Sequence, residues 1–173
     1  VFFTAKLIQD LLIRLGEYDE SEIKYILRDE LIEDYVSMNG ILAVRAVGVL
    51  QLHEYVSKLV PLLQRNEEDI LLEEACEALI RLQSDEVVKM LEPYIVDPDY
   101  SIFTIAVLKE TKTALAEKVF LESYSKTDDV DIHECIIEAL VTHFSEGTFD
   151  LIEQFLERGE FSYMIEMDEL FYA

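Results

Sequence analysis

The sequence predicts an all-α protein built from stacked helix pairs, and two observations support this prediction. Segments of mostly apolar and small residues recur along the chain, each followed by a short polar break and a second amphipathic segment. A fixed spacing of such units is typical of repeat architectures, while strand signals are weak throughout. The leucines that end the recurring segments are 29, 29 and 32 residues apart: Leu50, Leu79, Leu108 and Leu140.

The helix pairs can be read off the chain in order. Proline stands at equivalent places in two second helices, at Pro61 and Pro93, where it removes a hydrogen bond and favours a kink or a late helix start. The first helices are predicted from four aligned segments, residues 42–50, 71–79, 100–108 and 132–140. The second helices are predicted from "YVSKLVPLL", "VVKMLEPYI", "LAEKVFLESY" and "FDLIEQFL".

The polar breaks between the pairs carry the chemistry of helix N-caps. Residues 66–69, 97–101 and 126–131 place Asp, Asn or Ser ahead of each first helix, where a short side chain can accept hydrogen bonds from free N–H groups. The D-x-D-x-D-G spacing of a calcium loop is absent. These acids are therefore predicted to cap helices.

The chain is predicted to form a single domain, residues 1–173. Its parts are a degenerate N-terminal helix pair in residues 1–40, clearer repeats in residues 41–158, and a capping helix or tail in residues 159–173. The first segment is interrupted by three charged residues, so its helical leucine spacing predicts an amphipathic helix rather than a signal peptide. That spacing is set by Leu7, Leu11 and Leu15. The aromatic and acidic C-terminal segment is either a cap on the core or a protein-binding segment.

The repeat pattern resembles the HEAT-like repeats, in particular the short variety of phycobilisome lyases. The resemblance rests on Ala- and Leu-rich first helices followed by second helices of the form V-x-x-L-V-x-L-L, as in residues 56–63. It covers residues 41–158 and implies a right-handed α-α superhelix of about four to five helix pairs with a curved surface formed by one row of helices. It does not imply one activity, because such solenoids host many.

The charge of the chain restricts its partners. A net charge of −23 disfavours binding to nucleic acid or to an anionic membrane surface, both of which require clustered Lys and Arg. No apolar run approaches the length of roughly 18 uncharged residues that a spanning helix needs. Cys76 and Cys135 lie in apolar helical patterns, which indicates buried thiols in a reduced, cytoplasmic protein.

Two His-Glu pairs raise the possibility of a metal site. His133 and Glu134 begin a first helix, a position that resembles the His-Glu pairs of di-iron HEAT-repeat hydroxylases, but the other three units lack the matching pair. The second pair, His53 and Glu54, follows a first helix instead of beginning one, so the convergent ligands that a metal needs are missing. We therefore predict no catalytic, cofactor-binding or metal-binding residues, and a partly exposed histidine near a loop at position 133. A metal-dependent or lyase-type enzyme on the same scaffold is the alternative.

The predicted function is a non-catalytic scaffold or adaptor that binds a basic protein partner through a curved acidic surface. Residues 127–173 contain thirteen acids and a single cation, Arg158, a local net charge of −12. Such a surface either keeps the protein in solution or attracts a basic partner by long-range steering. An inhibitor or immunity-type antagonist of a basic nuclease or toxin is one alternative version. The predicted partner-binding residues are Glu86, Glu92, Glu117, Glu122, Asp150, Glu153 and Glu157.

Overall fold

The computed structural model describes residues 1–29, 35–65, 69–145 and 148–159. Regular structure in these ranges is helical, and no strand occurs among them, so the all-α prediction is confirmed. The chain divides into two compact units, Val1–Leu82 and Gln83–Ala173. Within the described ranges, no helix has the length and apolar character needed to cross a bilayer.

The first unit is organised around its third helix, which packs against the first, second and fifth helices. Its core consists of aliphatic side chains such as Val44, Val47 and Leu79, each fully shielded from water. Serine 37 begins the third helix by accepting a hydrogen bond from the backbone N–H of Gly40. The helices are α1 (Phe2–Leu15), α2 (Glu20–Asp29), α3 (Met38–Leu50), α4 (Val56–Leu59) and α5 (Asp69–Leu82).

Helices α3 and α5 approach each other closely at a glycine. A Cβ atom placed on Gly48 would lie 2.5 Å from the Cα atom of Ala78, closer than real Cβ contacts allow. The small residues of "AVGVL" and "EACEAL" therefore set the distance between these two first helices.

The predicted N-terminal amphipathic helix is present as α1, but its leucines face outward. Leu7, Leu11 and Leu15 are 53%, 56% and 60% exposed. The opposite face buries Gln9, whose Nε2 donates a hydrogen bond to the backbone oxygen of Leu42 at 2.8 Å. Helix α1 thus attaches to the unit through polar contacts and presents its apolar stripe to solvent.

Both prolines mark a change of helix type, at the positions where a kink or a late helix start was predicted. Helix α4 passes directly into the 3₁₀ segment Val60–Gln64, which has Pro61 in its first turn. Pro93 stands in the same place in the 3₁₀ segment Glu92–Tyr94. Because proline has no N–H, the α-helical pattern of hydrogen bonds stops at these points and the chain tightens.

The second unit contains alternating first and second helices. Its helix α7 packs against α9, and α8 contacts both α6 and α9. Ser84, Thr113 and Asp129 each accept hydrogen bonds from the first turn of the helix that follows, so the predicted capping role is confirmed for Asp129. The cap predicted in residues 97–101 is wrong, because α7 begins without a side-chain cap and Asp97 accepts from the N–H of Asp99 instead. The helices are α6 (Asp85–Leu91), α7 (Ser101–Glu110), α8 (Ala114–Tyr124), α9 (Val130–Thr142) and α10 (Phe149–Arg158).

The four aligned sequence segments coincide with first helices α3, α5, α7 and α9, except that Tyr100 precedes α7. The predicted N-terminal pair corresponds to α1 and α2. The predicted C-terminal cap or tail falls mainly on residues 160–173, outside the described part of the chain.

A recurring hydrogen bond joins the ends of neighbouring first helices. In the first unit, Gln51 follows α3 with a left-handed φ of 59°, and its Nε2 donates to the backbone oxygen of Arg81 in α5 at 2.7 Å. In the second unit, Lys112 follows α7, and its Nζ donates to the backbone oxygen of Thr142 in α9 at 3.2 Å. We call these contacts helix-end bridges. They satisfy carbonyl groups that have no partner within their own helix.

The position that carries the bridging lysine after α7 carries an aromatic residue after α9. Lys112 stands four residues after Leu108, and Phe144 stands four residues after Leu140. Phe144 has a left-handed φ of 54° and is 82% exposed. A bulky side chain is uncommon in that backbone region. This end of α9 therefore presents an exposed aromatic ring where the preceding first helix has a polar bridge.

Candidate functional site

The seven acids predicted to bind a partner all lie in the second unit, on or directly after its second helices. Glu86 belongs to α6, and Glu92 follows that helix. Two more, Glu117 and Glu122, lie on α8. Helix α10 carries the remaining three: Asp150, Glu153 and Glu157.

Three of these acids interact with their own chain. Glu92 lies 3.9 Å from the ammonium group of Lys126, and Glu122 lies 3.6 Å from that of Lys118. Glu117 accepts a hydrogen bond from the hydroxyl of Ser145. Exposed ion pairs such as Glu92–Lys126 and Glu122–Lys118 contribute at most about 1 kcal/mol to stability. They would therefore not prevent these carboxylates from binding a partner.

The other four acids are exposed and form no ion pair with a described residue. Three of the four lie on α10, and only Glu86 lies elsewhere. The free negative charge of the predicted site is therefore concentrated on one helix.

Helix α10 carries two parallel ridges of side chains. The apolar ridge consists of Phe149, Ile152 and Leu156, and the acidic ridge consists of the residue following each: Asp150, Glu153 and Glu157. Residues spaced three and four apart share a helix face, so each ridge runs along the helix for about 10 Å. All six side chains line one surface groove.

The burial pattern shows which side of α10 is available. Phe155 lies on the inner face and is 3% exposed, which anchors the helix. Phe149, by contrast, is 71% exposed, and Ile152 and Leu156 are half-buried. The apolar and acidic ridges are therefore both accessible on the outer side.

His133 does not have the exposed position expected from the sequence. It is buried in the first turn of α9, and its Nε2 lies 2.8 Å from the backbone oxygen of Thr127 and 3.0 Å from that of Tyr124. Its ring stacks on the ring of Tyr124, with centroids 4.1 Å apart. Since Nε2 faces two carbonyl oxygens, it carries the proton and donates a hydrogen bond to them. These carbonyl groups lie at the end of α8 and in the loop that follows it. The inward direction of the first turn of α9 explains the error.

In the described part of the chain, the other candidate ligands do not assemble into a metal site. His53 lies exposed in the 3₁₀ segment His53–Tyr55 of the first unit. No group of three or more His, Cys, Asp or Glu side chains in the described ranges could hold a metal ion.

The two cysteines have the properties of structural thiols. Cys76 and Cys135 are free, and burial raises the pKa of each thiol to about 11, with nearby glutamates adding to the effect. A thiol with so high a pKa holds little nucleophilic thiolate at neutral pH.

A buried polar cluster in the first unit was not predicted from the sequence. Arg45 of α3 donates to Gln9 Oε1 at 2.7 Å and to Asp10 Oδ1 at 2.6 Å. Glu74 of α5 accepts a hydrogen bond from Lys6. The sequence does contain the signal, because Arg45 and Glu74 each stand five residues before the final leucine of their segment. The cluster joins α1, α3 and α5, which gives it a structural role.

Comparison with protein-family models, curated proteins and solved structures gives no significant match. The HEAT-like resemblance therefore stays a prediction, and the function has to be argued from the surface of the second unit.

Proposed function

We propose that this chain is a HEAT-like repeat module that binds a basic protein partner and performs no catalysis. The observation that carries the proposal is the pairing of an acidic ridge with an apolar ridge on the outer side of α10. Acidic side chains attract and orient a basic partner, and apolar side chains supply the buried area that holds it.

The repeat part of the proposal is supported by the helix-end bridges. Gln51 links consecutive first helices in one unit, and Lys112 does so in the other. The two acceptors are equivalent, since Arg81 and Thr142 each stand two residues after the aligned leucine of their helix. A contact that recurs in this way is expected where helix pairs stack regularly, as in a right-handed α-α superhelix.

The preference for a basic partner follows from the charge. At a net charge of −23, the field of the chain attracts cationic proteins and repels anionic ones before contact. Acids without intramolecular ion pairs also lose no existing partner when a cation binds. Among the described residues, four of the seven predicted acids have neither an ion pair nor a side-chain hydrogen bond: Glu86, Asp150, Glu153 and Glu157.

Affinity capture from a cell lysate tests this function. The wild-type chain is compared with a variant in which the four unpaired acids are replaced by their amides: Glu86→Gln, Asp150→Asn, Glu153→Gln and Glu157→Gln. We expect the wild type to retain a basic protein at low salt, and the variant to lose it. A captured protein that is acidic, or that both forms retain equally at high salt, would contradict the proposal.

A further inference from the structure

The acidic ridge of α10 lacks the internal compensation found on other helices. In α5, Nη2 of Arg81 lies 3.1 Å from Oε2 of Glu77, four residues earlier. In α8, Lys118 forms an ion pair with Glu122, which is also four residues away. Helix α10 has one cation, Arg158, and it stands one, five and eight residues from the ridge acids. None of these spacings brings it alongside a ridge carboxylate.

The uncompensated ridge has an energetic consequence. Like charges three and four residues apart destabilise a helix by about 0.2–0.5 kcal/mol per pair. Asp150, Glu153 and Glu157 form two such pairs in succession. A cationic partner along this ridge would remove the repulsion and add attraction, so binding gains from both effects.

Two possible occupants from the same protein are disfavoured by charge. Residues 160–173 contain Glu160, Glu166, Asp168 and Glu169 and no Lys or Arg. A second copy of the chain brings a further net charge of −23. Either would place carboxylates against the acidic ridge, which costs free energy.

We infer that the two ridges of α10 form a docking site for a basic amphipathic helix of another protein. This inference rests on the proposed function and specifies its site. The apolar ridge of Phe149, Ile152 and Leu156 receives apolar side chains spaced three and four residues apart. The acidic ridge, one residue further round the helix, receives Lys or Arg adjacent to those positions.

The probe is a labelled amphipathic peptide of leucine and lysine, with a leucine-glutamate peptide of the same pattern as the control. Binding to the full chain is measured by fluorescence anisotropy at low salt. Two variants remove equal charge: Glu153→Gln with Glu157→Gln on the ridge, and Glu17→Gln with Glu73→Gln at exposed sites of the first unit. We expect the ridge pair to weaken binding of the lysine peptide about tenfold, and the distant pair by less than about twofold.

A third variant tests the apolar ridge. Phe149→Ser should weaken binding about fivefold or more, because an exposed aromatic ring supplies much of the area buried on binding. Circular dichroism of every variant verifies folding. The glutamine pair keeps the test valid even if Phe149→Ser unfolds α10, since removing like charges should stabilise that helix.

The outcomes separate the inference from the proposed function. Equal weakening by both glutamine pairs would overturn the α10 site and leave general binding of basic partners intact. Equal affinity for the lysine and glutamate peptides would contradict both. Tighter binding of the lysine peptide to a variant that lacks residues 160–173 would show that the chain's own C-terminal segment occupies the ridges, and would overturn the docking site.

Discussion

The Nε atom of Arg45 lies 3.8 Å from Oε2 of Glu74, and both side chains are almost completely shielded from water. Neither of these two atoms has a hydrogen-bond partner among the described residues, although the remaining polar atoms of the pair are hydrogen-bonded to α1. The two residues therefore form an ion pair between consecutive first helices at one repeat position. Because both groups are buried, each charge is stabilised by the opposite charge beside it.

Removing both members of this pair should cost less than the two single removals added together. Arg45→Met leaves the buried carboxylate with Lys6 as its one charged partner among the described residues, and Glu74→Leu leaves the buried guanidinium with Asp10 in that role. Each should therefore cost about 3 kcal/mol of unfolding free energy. The double variant should cost clearly less than the sum. Urea unfolding measures all three. Strict additivity would show that the two charges are not coupled.

The close approach of α3 and α5 gives a second prediction. Gly48→Ala should cost about 2–3 kcal/mol, because the new methyl group would overlap the backbone of Ala78. Ala78→Gly should not restore the loss, since the nearest atom is a Cα. Gly16→Ala is the matched control: its surroundings are open, so only its left-handed φ of 70° matters and the cost should be about 1 kcal/mol. Equal costs from thermal unfolding would contradict this packing.

The order of helices along the chain could be predicted because it follows from the spacing of residues close together in the sequence. Leucines such as Leu50 and Leu79 mark the ends of first helices, and Pro61 and Pro93 mark where α-helix becomes 3₁₀-helix. These features depend on local chemistry. Leucine spacing and proline positions in the sequence therefore locate them.

The direction in which helix faces point could not be predicted in the same way. Leu11 indicates a buried stripe on α1, yet the buried side chain is Gln9, because polar partners on other helices compensate its burial. His133 likewise faces inward because the carbonyl oxygens of Tyr124, at the end of α8, and of Thr127, in the following loop, accept hydrogen bonds from its ring. Such contacts join residues from different helices, and one sequence does not reveal them.

The buried histidine should contribute to stability. His133→Ala removes hydrogen bonds to Tyr124 and Thr127 and a stacked ring, and should cost about 2–3 kcal/mol in chemical unfolding. His53→Ala, at an exposed position, should change stability by less than about 0.5 kcal/mol. A His133→Ala chain of unchanged stability that loses bound metal in elemental analysis would contradict the structural role.

The half-buried thiols predict a loss of stability at alkaline pH. Burial raises the pKa of Cys76 and Cys135 to about 11, above the unfolded value near 8.5. The neutral thiols therefore favour folding below about pH 8.5, and this contribution disappears as the pH rises toward 11. Unfolding free energy measured across this range should fall less steeply in a Cys76→Ala, Cys135→Ala double variant. An identical slope would show that the thiols do not titrate abnormally.

The salt dependence of association tests the central claim most directly, namely that the acidic surface of the second unit recruits a basic protein. The captured partner is mixed with the full chain in a stopped-flow instrument at several salt concentrations. Because screening shortens the reach of charge to about 8 Å at physiological salt, we expect the association rate constant to fall at least about tenfold from 20 mM to 500 mM. The variant lacking the unpaired acids Glu86, Asp150, Glu153 and Glu157 should be slow at every salt concentration. A rate constant independent of salt, and equal for the two forms, would contradict the account.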